Sequence, residues 1–341
     1  MRLSVPGVRI ADVETCDFAA MPCLETAPLL RLSRPDDWER VLDSSVSRRL
    51  LAELGVERRH LTHVPGQRLA LDRMTAIDLA CSAVERMRTR QREAFDRLDA
   101  LLFVSTSNPN PCNSQAAILA SRVGLQASCL DIKAGCSGGV LGVAQAALMI
   151  HAGCERVLVV LAENLSQLTS ADDLRALLTV GDGAACVLVE RSERGAFLSV
   201  LHGTAPEFAG AMAVRTPFPP AAPDARYLFE VSDAPRAREV LHERWRQLVR
   251  ESAEAASTCP SELTHGFLHQ THGALLDGLA QDLGLEPARL VPVVRDQGNM
   301  GSPTFAVAMA RAFHELRPGD RYLMAAVGGG ISWCAIVAEH A

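Results

Sequence analysis

The stretch Asp131-Ile132-Lys133-Ala134-Gly135-Cys136-Ser137-Gly138-Gly139-Val140 most narrows what this chain can become. A short apolar strand runs straight into a glycine-flanked cysteine. A helix of small residues continues from there to about His151. That places Cys136 at or near a helix N-terminus, where unpaired backbone N–H groups favour thiolate over thiol. Gly135, Gly138 and Gly139 permit a tight turn and close approach by a substrate. Cys136 therefore reads as a nucleophile on an elbow. The plainer alternative is a free cysteine that packs in a core.

The rest of the chain alternates strand and helix. Strands are expected at Ala100–Val104, Cys129–Lys133, Arg156–Ala162 and Ala184–Val189, with helices at Ser114–Arg122 and Ser137–Ala152. The second half repeats the theme. A long helix covers Ala237–Ala256, followed by a strand at Gly266–His269 and a helix at Ala274–Leu283. A strand near Leu290–Val294, a helix at Thr304–Leu316 and strands at Arg321–Val327 and Ser332–Ala338 complete it. Such alternation predicts α/β layers around parallel-rich sheets. The charged stretch Arg191–Gly195 reads as a turn between the halves. The proline-rich run Pro217–Pro223 reads as a surface loop, with gating of a site as its less ordinary use.

Three later stretches could complete a site around Cys136. Gly266-Phe267-Leu268-His269-Gln270 is an apolar strand ending in histidine, and Gln297-Gly298-Asn299-Met300-Gly301-Ser302-Pro303 is a turn before a helix. A cysteine nucleophile needs a base or hydrogen-bond partner and gains from an oriented third group. His269 and Asn299 can supply these across space. Each also has an ordinary reading, as a structural histidine and a turn residue. Gly328-Gly329-Gly330 between two β runs can offer N–H groups to an oxyanion, or can simply be a hairpin turn.

Taken in order, the CSGG elbow at Cys136, Gly181-Asp182-Gly183-Ala184-Ala185, His269-Gln270, Gly298-Asn299 and GGGISW at Gly328–Trp333 resemble a ketoacyl synthase III of the thiolase superfamily. Their spacing fits as well: 133 residues from Cys136 to His269 and 30 more to Asn299. The resemblance covers roughly residues 45–341. It implies a duplicated, five-layered αβαβα fold, with residues 1–190 carrying the nucleophilic cysteine and residues 191–341 carrying the His and Asn. It implies a Cys136-His269-Asn299 triad and an oxyanion hole from the backbone N–H groups of Cys136 and Gly329. It also implies an acyl-cysteine formed from a thioester, then decarboxylative condensation with a malonyl-type extender in fatty-acid or secondary-metabolite synthesis. Acyl-CoA or acyl-carrier-protein thioesters would be substrates, with no tightly bound cofactor. A homodimer is expected, with an acyl pocket near Cys112 and Gly139. Cys112 stands where relatives often have Phe, which predicts room for longer acyl groups.

The departures from the pattern concern the donor. Relatives that use acetyl-CoA carry an Arg five residues after the histidine; here that position is Ala274. They also carry a Trp and an Arg before a Thr-Gly-Ile turn, where this chain has Arg49 and Glu53. The usual HQAN reads His269-Gln270-Thr271-His272. The helix bearing Arg236, Arg238, Arg244, Arg246 and Arg250 also holds Glu239, Glu243 and Glu251. It reads as a solvated face with i,i+4 pairs or as a docking surface for an acidic carrier protein. Lys133, the only lysine, could bias the field near Cys136.

Composition removes other classes. A net charge of −6 argues against a nucleic-acid binder. No apolar run reaches the roughly 18 residues of a membrane span, and no signal peptide is evident. Ten cysteines without CxxC spacing indicate neither a zinc site nor a disulfide framework, so a cytoplasmic setting is expected. A degradative thiolase is disfavoured because no second catalytic cysteine is found, and Cys334 reads as packing. Two alternatives remain: an acyltransferase passing the acyl group to an alcohol or amine, and a non-catalytic partner subunit. Subunits of the latter kind lose the cysteine or its helpers, which this chain keeps.

Overall fold

The computed structural model describes residues 2–70, 72–108, 110, 112–216, 226–231 and 234–341. The proline-rich run Pro217–Pro223 lies outside them. Strand β1 (Arg2–Thr15) and the short β2 (Cys23–Glu25) lead to helices α1 (Thr26–Ser33), α2 (Trp38–Asp43) and α3 (Ser45–Leu54). Next come β3 (Arg58–His60), α4 (Ala76–Arg90), α5 (Arg92–Phe95), β4 (Ala100–Val104) and α6 (Gln115–Val123). Then follow β5 (Ser128–Ile132), α7 (Gly138–His151), β6 (Arg156–Asn164), α8 (Leu174–Thr179) and β7 (Asp182–Thr204). A small hairpin of β8 (Met212–Val214) and β9 (Phe229–Val231) precedes α9 (Ala234–Ala255). The chain ends with β10 (His265–Leu268), α10 (Gly273–Leu283), α11 (Val294–Gln297), α12 (Thr304–Ala312), β11 (Arg321–Gly328) and β12 (Ser332–Glu339).

The strands join in the order β10-β11-β12-β7-β6-β4-β5, with β1 lying antiparallel along β7. Side chains alternate across each strand, so each apolar run faces two layers. On β4, Ala100, Leu102 and Val104 point to one core, and Leu101 and Phe103 to another. On β11, Tyr322, Met324 and Ala326 join the first core, while Leu323, Ala325 and Val327 face a third. The shared core contains α7 through Val140, Val143 and Ala147, and α12 through Phe305, Val307 and Met309. Helices α4 and α6 cover one outer face, and α9 and α10 the other. The result is five layers, helix–sheet–helix–sheet–helix. The helices α7 and α12 are apolar enough to be buried between sheets.

Two sequence expectations change. Arg191–Gly195 is not a turn: β7 runs through it, because β1 supplies a ladder on both sides, from Thr15↔Ala185 to Arg2↔Leu201. The partner on the other edge changes there, from β6 for Asp182–Glu190 to β12 for Ala196–Thr204. The strand expected near Leu290–Val294 is instead a 3-10 turn, Pro287–Leu290, followed by the short α11. Gln270 explains the change. Its Nε2 donates to the Leu290 and Val291 carbonyls, and its Oε1 accepts the Val294 N–H. One side chain thus does for this segment what a sheet ladder would have done.

Candidate active site

The cysteine elbow is built where β5 ends. Ala134 leads into a 3-10 turn, Gly135–Ser137, and α7 begins at Gly138. Gly135 adopts φ +58°, a conformation that L side chains resist. Ser137 Oγ lies 2.7 Å from Ser332 Oγ and donates to the Ala134 carbonyl at 3.0 Å, tying the elbow to β12. The β11–β12 turn presses on it: a Cβ at Gly328 would sit 3.0 Å from the Cys136 Cβ. The Gly329 N–H is directed at the Cys136 sulfur.

Cys136 is half-buried. Its packed surroundings push the thiol up to about 11, with the Glu163 carboxylate adding to the rise and the Gly329 and Cys136 N–H groups opposing it. The helix N-terminus therefore does not deliver a thiolate in the resting protein, contrary to the sequence expectation. Desolvation outweighs the amides.

His269 continues β10, its N–H donating to the Ala325 carbonyl at 2.8 Å. Burial lowers its pKa to about 4, with the Gly301 backbone pulling slightly the other way. Neither ring nitrogen makes a well-formed hydrogen bond. A neutral imidazole thus stands beside the 299–302 turn.

Asn299 is fixed three ways. Its N–H donates to the Thr179 carbonyl at 2.8 Å, its carbonyl accepts from Gly181 at 2.9 Å, and its Oδ1 accepts the Gly301 N–H at 2.9 Å. With Oδ1 committed, Nδ2 is the end left to face a substrate. Gly181-Asp182-Gly183 clamps this turn. A side chain at Gly181 would run into the Gln297 carbonyl, and one at Gly183 would meet Met300 Sδ at 2.7 Å. Buried Asp182 accepts from Thr62 N and Oγ1, both at 2.7 Å, and from Ser166 N at 2.9 Å. These glycines are there for close approach, a role the sequence motif signals but does not explain.

The three parts meet through short links. A side chain at Gly139 would collide with the Ser302 carbonyl and come within 2.8 Å of Phe305, so α7 and the 299–302 turn touch there. Gly139 is a contact point between helix and turn. Glu163, unnoticed in the sequence, accepts from Ser302 Oγ at 3.1 Å. Its signal was a lone acid at the end of the otherwise apolar run Val157–Ala162. Cys112 is not among these residues. It is exposed, its N–H donating to Asn110 Oδ1 ahead of α6. Lys133 is exposed as well.

The departures gather where α3 meets α10, with Gly273 Cα 3.4 Å from a Cβ placed on Gly55. Arg49 and Ala274 are exposed, and Glu53 is ion-paired with Arg175 at 2.9 Å. His272 caps α10, Nδ1 accepting the Leu275 N–H at 3.1 Å. On α9, Arg244 pairs with Glu251 at 2.6 Å and lies 4.3 Å over the Trp333 ring. Arg246 pairs with Asp282, and Arg236 lies over Phe208. These arginines are engaged within the chain, which supports the solvated-face reading of that helix over a docking surface. Among the described residues, no group of three His, Cys, Asp or Glu is arranged to hold a metal, and no helix is long and apolar enough to cross a membrane.

The chain is similar to known proteins. Residues 130–206 match the family described as 3-oxoacyl-[acyl-carrier-protein (ACP)] synthase III, and residues 253–340 match its C-terminal domain. A Streptomyces coelicolor protein named beta-ketoacyl-[acyl-carrier-protein] synthase III 2 is 33% identical over 248 residues, 70% of this chain and 72% of its own. A second from that organism, synthase III 3, is 29% identical over 92% of both chains. Among solved structures, the synthase III of Thermus thermophilus superposes with a TM-score of 0.82 at 24% identity, covering 97% of this chain and 99% of its own. The priming β-ketosynthase of the R1128 polyketide pathway gives 0.81 at 20%, over 98% and 97%. These two likenesses speak for the fold.

Proposed function

The chain belongs to the 3-oxoacyl-[acyl-carrier-protein] synthase III family of acyl-transferring condensing enzymes, and from that premise we propose that Cys136, His269 and Asn299 carry its chemistry. The supporting observation is the Gly329 N–H directed at the Cys136 sulfur, on an elbow packed against the turn that holds Asn299. The sulfur attacks the carbonyl of an acyl thioester. The Gly329 and Cys136 N–H groups hold the oxyanion, and the carrier thiol leaves with the proton that Cys136 gives up. A malonyl-type extender then binds with its thioester carbonyl between neutral His269 and Asn299 Nδ2. Loss of carbon dioxide puts charge on that oxygen, where two positioned donors stabilise it. The carbanion attacks the acyl-cysteine, a carbon–carbon bond forms and Cys136 is released.

The substrates of this reading are acyl-CoA or acyl-carrier-protein thioesters, with no tightly bound cofactor, and the carrier is an acidic protein. The ten free cysteines suit a reducing cytoplasm. A homodimer is favoured by β5, an edge strand whose Leu130 is 49% exposed; an open apolar edge invites pairing with a second copy. Residues 1–190 and 191–341 are the two halves of this reading, each supplying part of the site.

Intact-protein mass spectrometry with a panel of acyl thioesters tests it. The wild type should gain one acyl mass and lose it when a malonyl thioester is added, with a β-ketoacyl product formed. Cys136→Ala should gain none. A stable acyl adduct elsewhere during turnover of Cys136→Ala would show that the nucleophile is another residue.

A further inference from the structure

Glu163 ends β6 as a carboxylate only 1% exposed. Burial raises its pKa, and the hydrogen bonds it accepts oppose that rise. Both oxygens are crowded with donors. Oε1 accepts from Thr106 N at 3.0 Å, Thr106 Oγ1 at 3.1 Å and Ser302 Oγ at 3.1 Å. Oε2 accepts from Ser107 N at 3.0 Å and Ser107 Oγ at 2.7 Å, with Ser105 Oγ at 3.4 Å. Backbone N–H groups can only donate, so this set fits an ionised acceptor. No ion pair to Glu163 forms among the described residues.

A buried charge held by hydroxyls and amides, with no cation, is costly unless its site is built for it. Here the site joins three elements: the segment after β4, the end of β6, and the 299–302 turn. Gly301 lies so close that a Cβ there would be 3.5 Å from Glu163 Cγ. From the elbow, the titratable group that feels the carboxylate is Cys136.

We propose that Glu163 is a positioning residue that clamps the Asn299 turn to the segment after β4, beside the point where that turn meets the cysteine helix at Gly139, and that its charge contributes to the field in which the Cys136 sulfur works. The proposal rests on the function argued above, since it acts through Asn299 and Cys136. Its negative charge adds to the burial that opposes thiolate formation at Cys136. Its grip on Ser302 holds the turn whose Asn299 receives the extender. Gln cannot replace it, because one of its two terminal atoms donates where Glu163 accepts at both.

Alkylation of Cys136 by iodoacetamide, followed peptide by peptide from pH 7 to 10, reads the field without any substrate. Glu163→Gln should alkylate faster than the wild type at pH 8, because removing the charge lowers the thiol pKa. Its condensation rate should fall at least tenfold more than its self-acylation rate. Glu163→Asp should keep the wild-type alkylation profile while losing condensation. Ser302→Ala should do the same in milder form, and it carries the test if Glu163→Gln does not fold. A wild-type alkylation profile in Glu163→Gln, or a Ser302→Ala protein with an unchanged ratio of condensation to acylation, overturns the proposal. If the wild type itself neither self-acylates nor condenses, the functional reading fails instead, and the alkylation profiles still judge Glu163.

Discussion

The Gly329 N–H points at the sulfur of Cys136, and the neighbouring Gly328 lies so close that a Cβ there would be 3.0 Å from the Cys136 backbone N. The turn between β11 and β12 is therefore shaped by the residue it serves. Gly328→Ala should push the turn off the elbow and misdirect the Gly329 amide. Loss of one oxyanion donor costs about 100- to 1000-fold in rate. Single-turnover self-acylation, read by intact mass, should slow on that scale while the fold persists by circular dichroism. Wild-type acylation would mean that Gly329 is not an oxyanion donor.

Acid should weaken the fold through His269. Its pKa falls from an ordinary value near 6.5 to about 4 in the folded state, because burial disfavours the imidazolium. The unfolded chain takes up this proton first as pH drops. The stabilisation is thus full above about pH 6.5 and lost as pH falls toward 4. A shift of that size corresponds to on the order of 3 kcal/mol. Buried His63, also near 4, acts in the same direction. Thermal melts should show Tm falling between pH 6.5 and 4.5, and falling less in His269→Asn. Parallel curves for the two proteins would remove His269 from the account.

His269 and Asn299 should matter most after acylation. Asn299 Oδ1 is occupied by the Gly301 N–H, which leaves the amide Nδ2 as its donor, and burial holds His269 neutral. A pKa near 4 makes His269 a weak base for the Cys136 thiol, whereas two neutral donors can hold an enolate oxygen. Asn299→Ala and His269→Ala should therefore lose condensation by about 100-fold, with smaller losses in self-acylation. Equal losses in the two half-reactions would instead make thiol activation their main work.

Much of this was legible in the sequence because it is written in short-range pattern. The strand-to-elbow-to-helix at Cys136 and the alternation along β4, β6 and β11 need only neighbours two to four residues apart. What failed depended on distant partners. The stretch Leu290–Val294 has strand-like composition, yet Gln270 takes its backbone groups. Arg191–Gly195 looks like a turn, yet β1 keeps it extended. The pull of the helix N-terminus on Cys136 was visible, but the burial that overrides it was not. Glu163 was invisible for the same reason: its donors come from residues 105–107 and 302.

The edge strand β5 predicts how the chain assembles. Leu130 faces solvent at the open side of the sheet. On the homodimer proposed above, Leu130→Asp should yield a monomer in light scattering and lower activity. Cys112→Phe should leave the dimer intact and shift preference toward shorter acyl chains, since each excluded methylene forfeits about 0.8 kcal/mol. A monomeric wild type, or an unchanged chain-length profile, would refute the two halves of this prediction separately.

The choice of acyl donor turns on Glu53. It stands nearest the place where the resemblance expects a CoA-binding arginine, and it is ion-paired with Arg175 at 2.9 Å. Ala274, at the facing start of α10, offers no charge. A nucleotide phosphate arriving here would meet a carboxylate and lose the charge-assisted contacts that arginines provide. A carrier protein delivers the same pantetheine arm without the nucleotide. With Arg236, Arg244 and Arg246 engaged elsewhere, the preference rests on this exclusion more than on a cationic dock. An acyl-carrier thioester should therefore acylate Cys136 faster than the matching acyl-CoA. Glu53→Gln, which frees Arg175, should narrow the gap several-fold by raising the CoA rate alone. The effect should shrink at high salt, because the pair is part-exposed and screened. If acyl-CoA is the faster donor in the wild type and Glu53→Gln leaves it unchanged, the nucleotide is bound by other groups, with exposed Arg49 the first to replace.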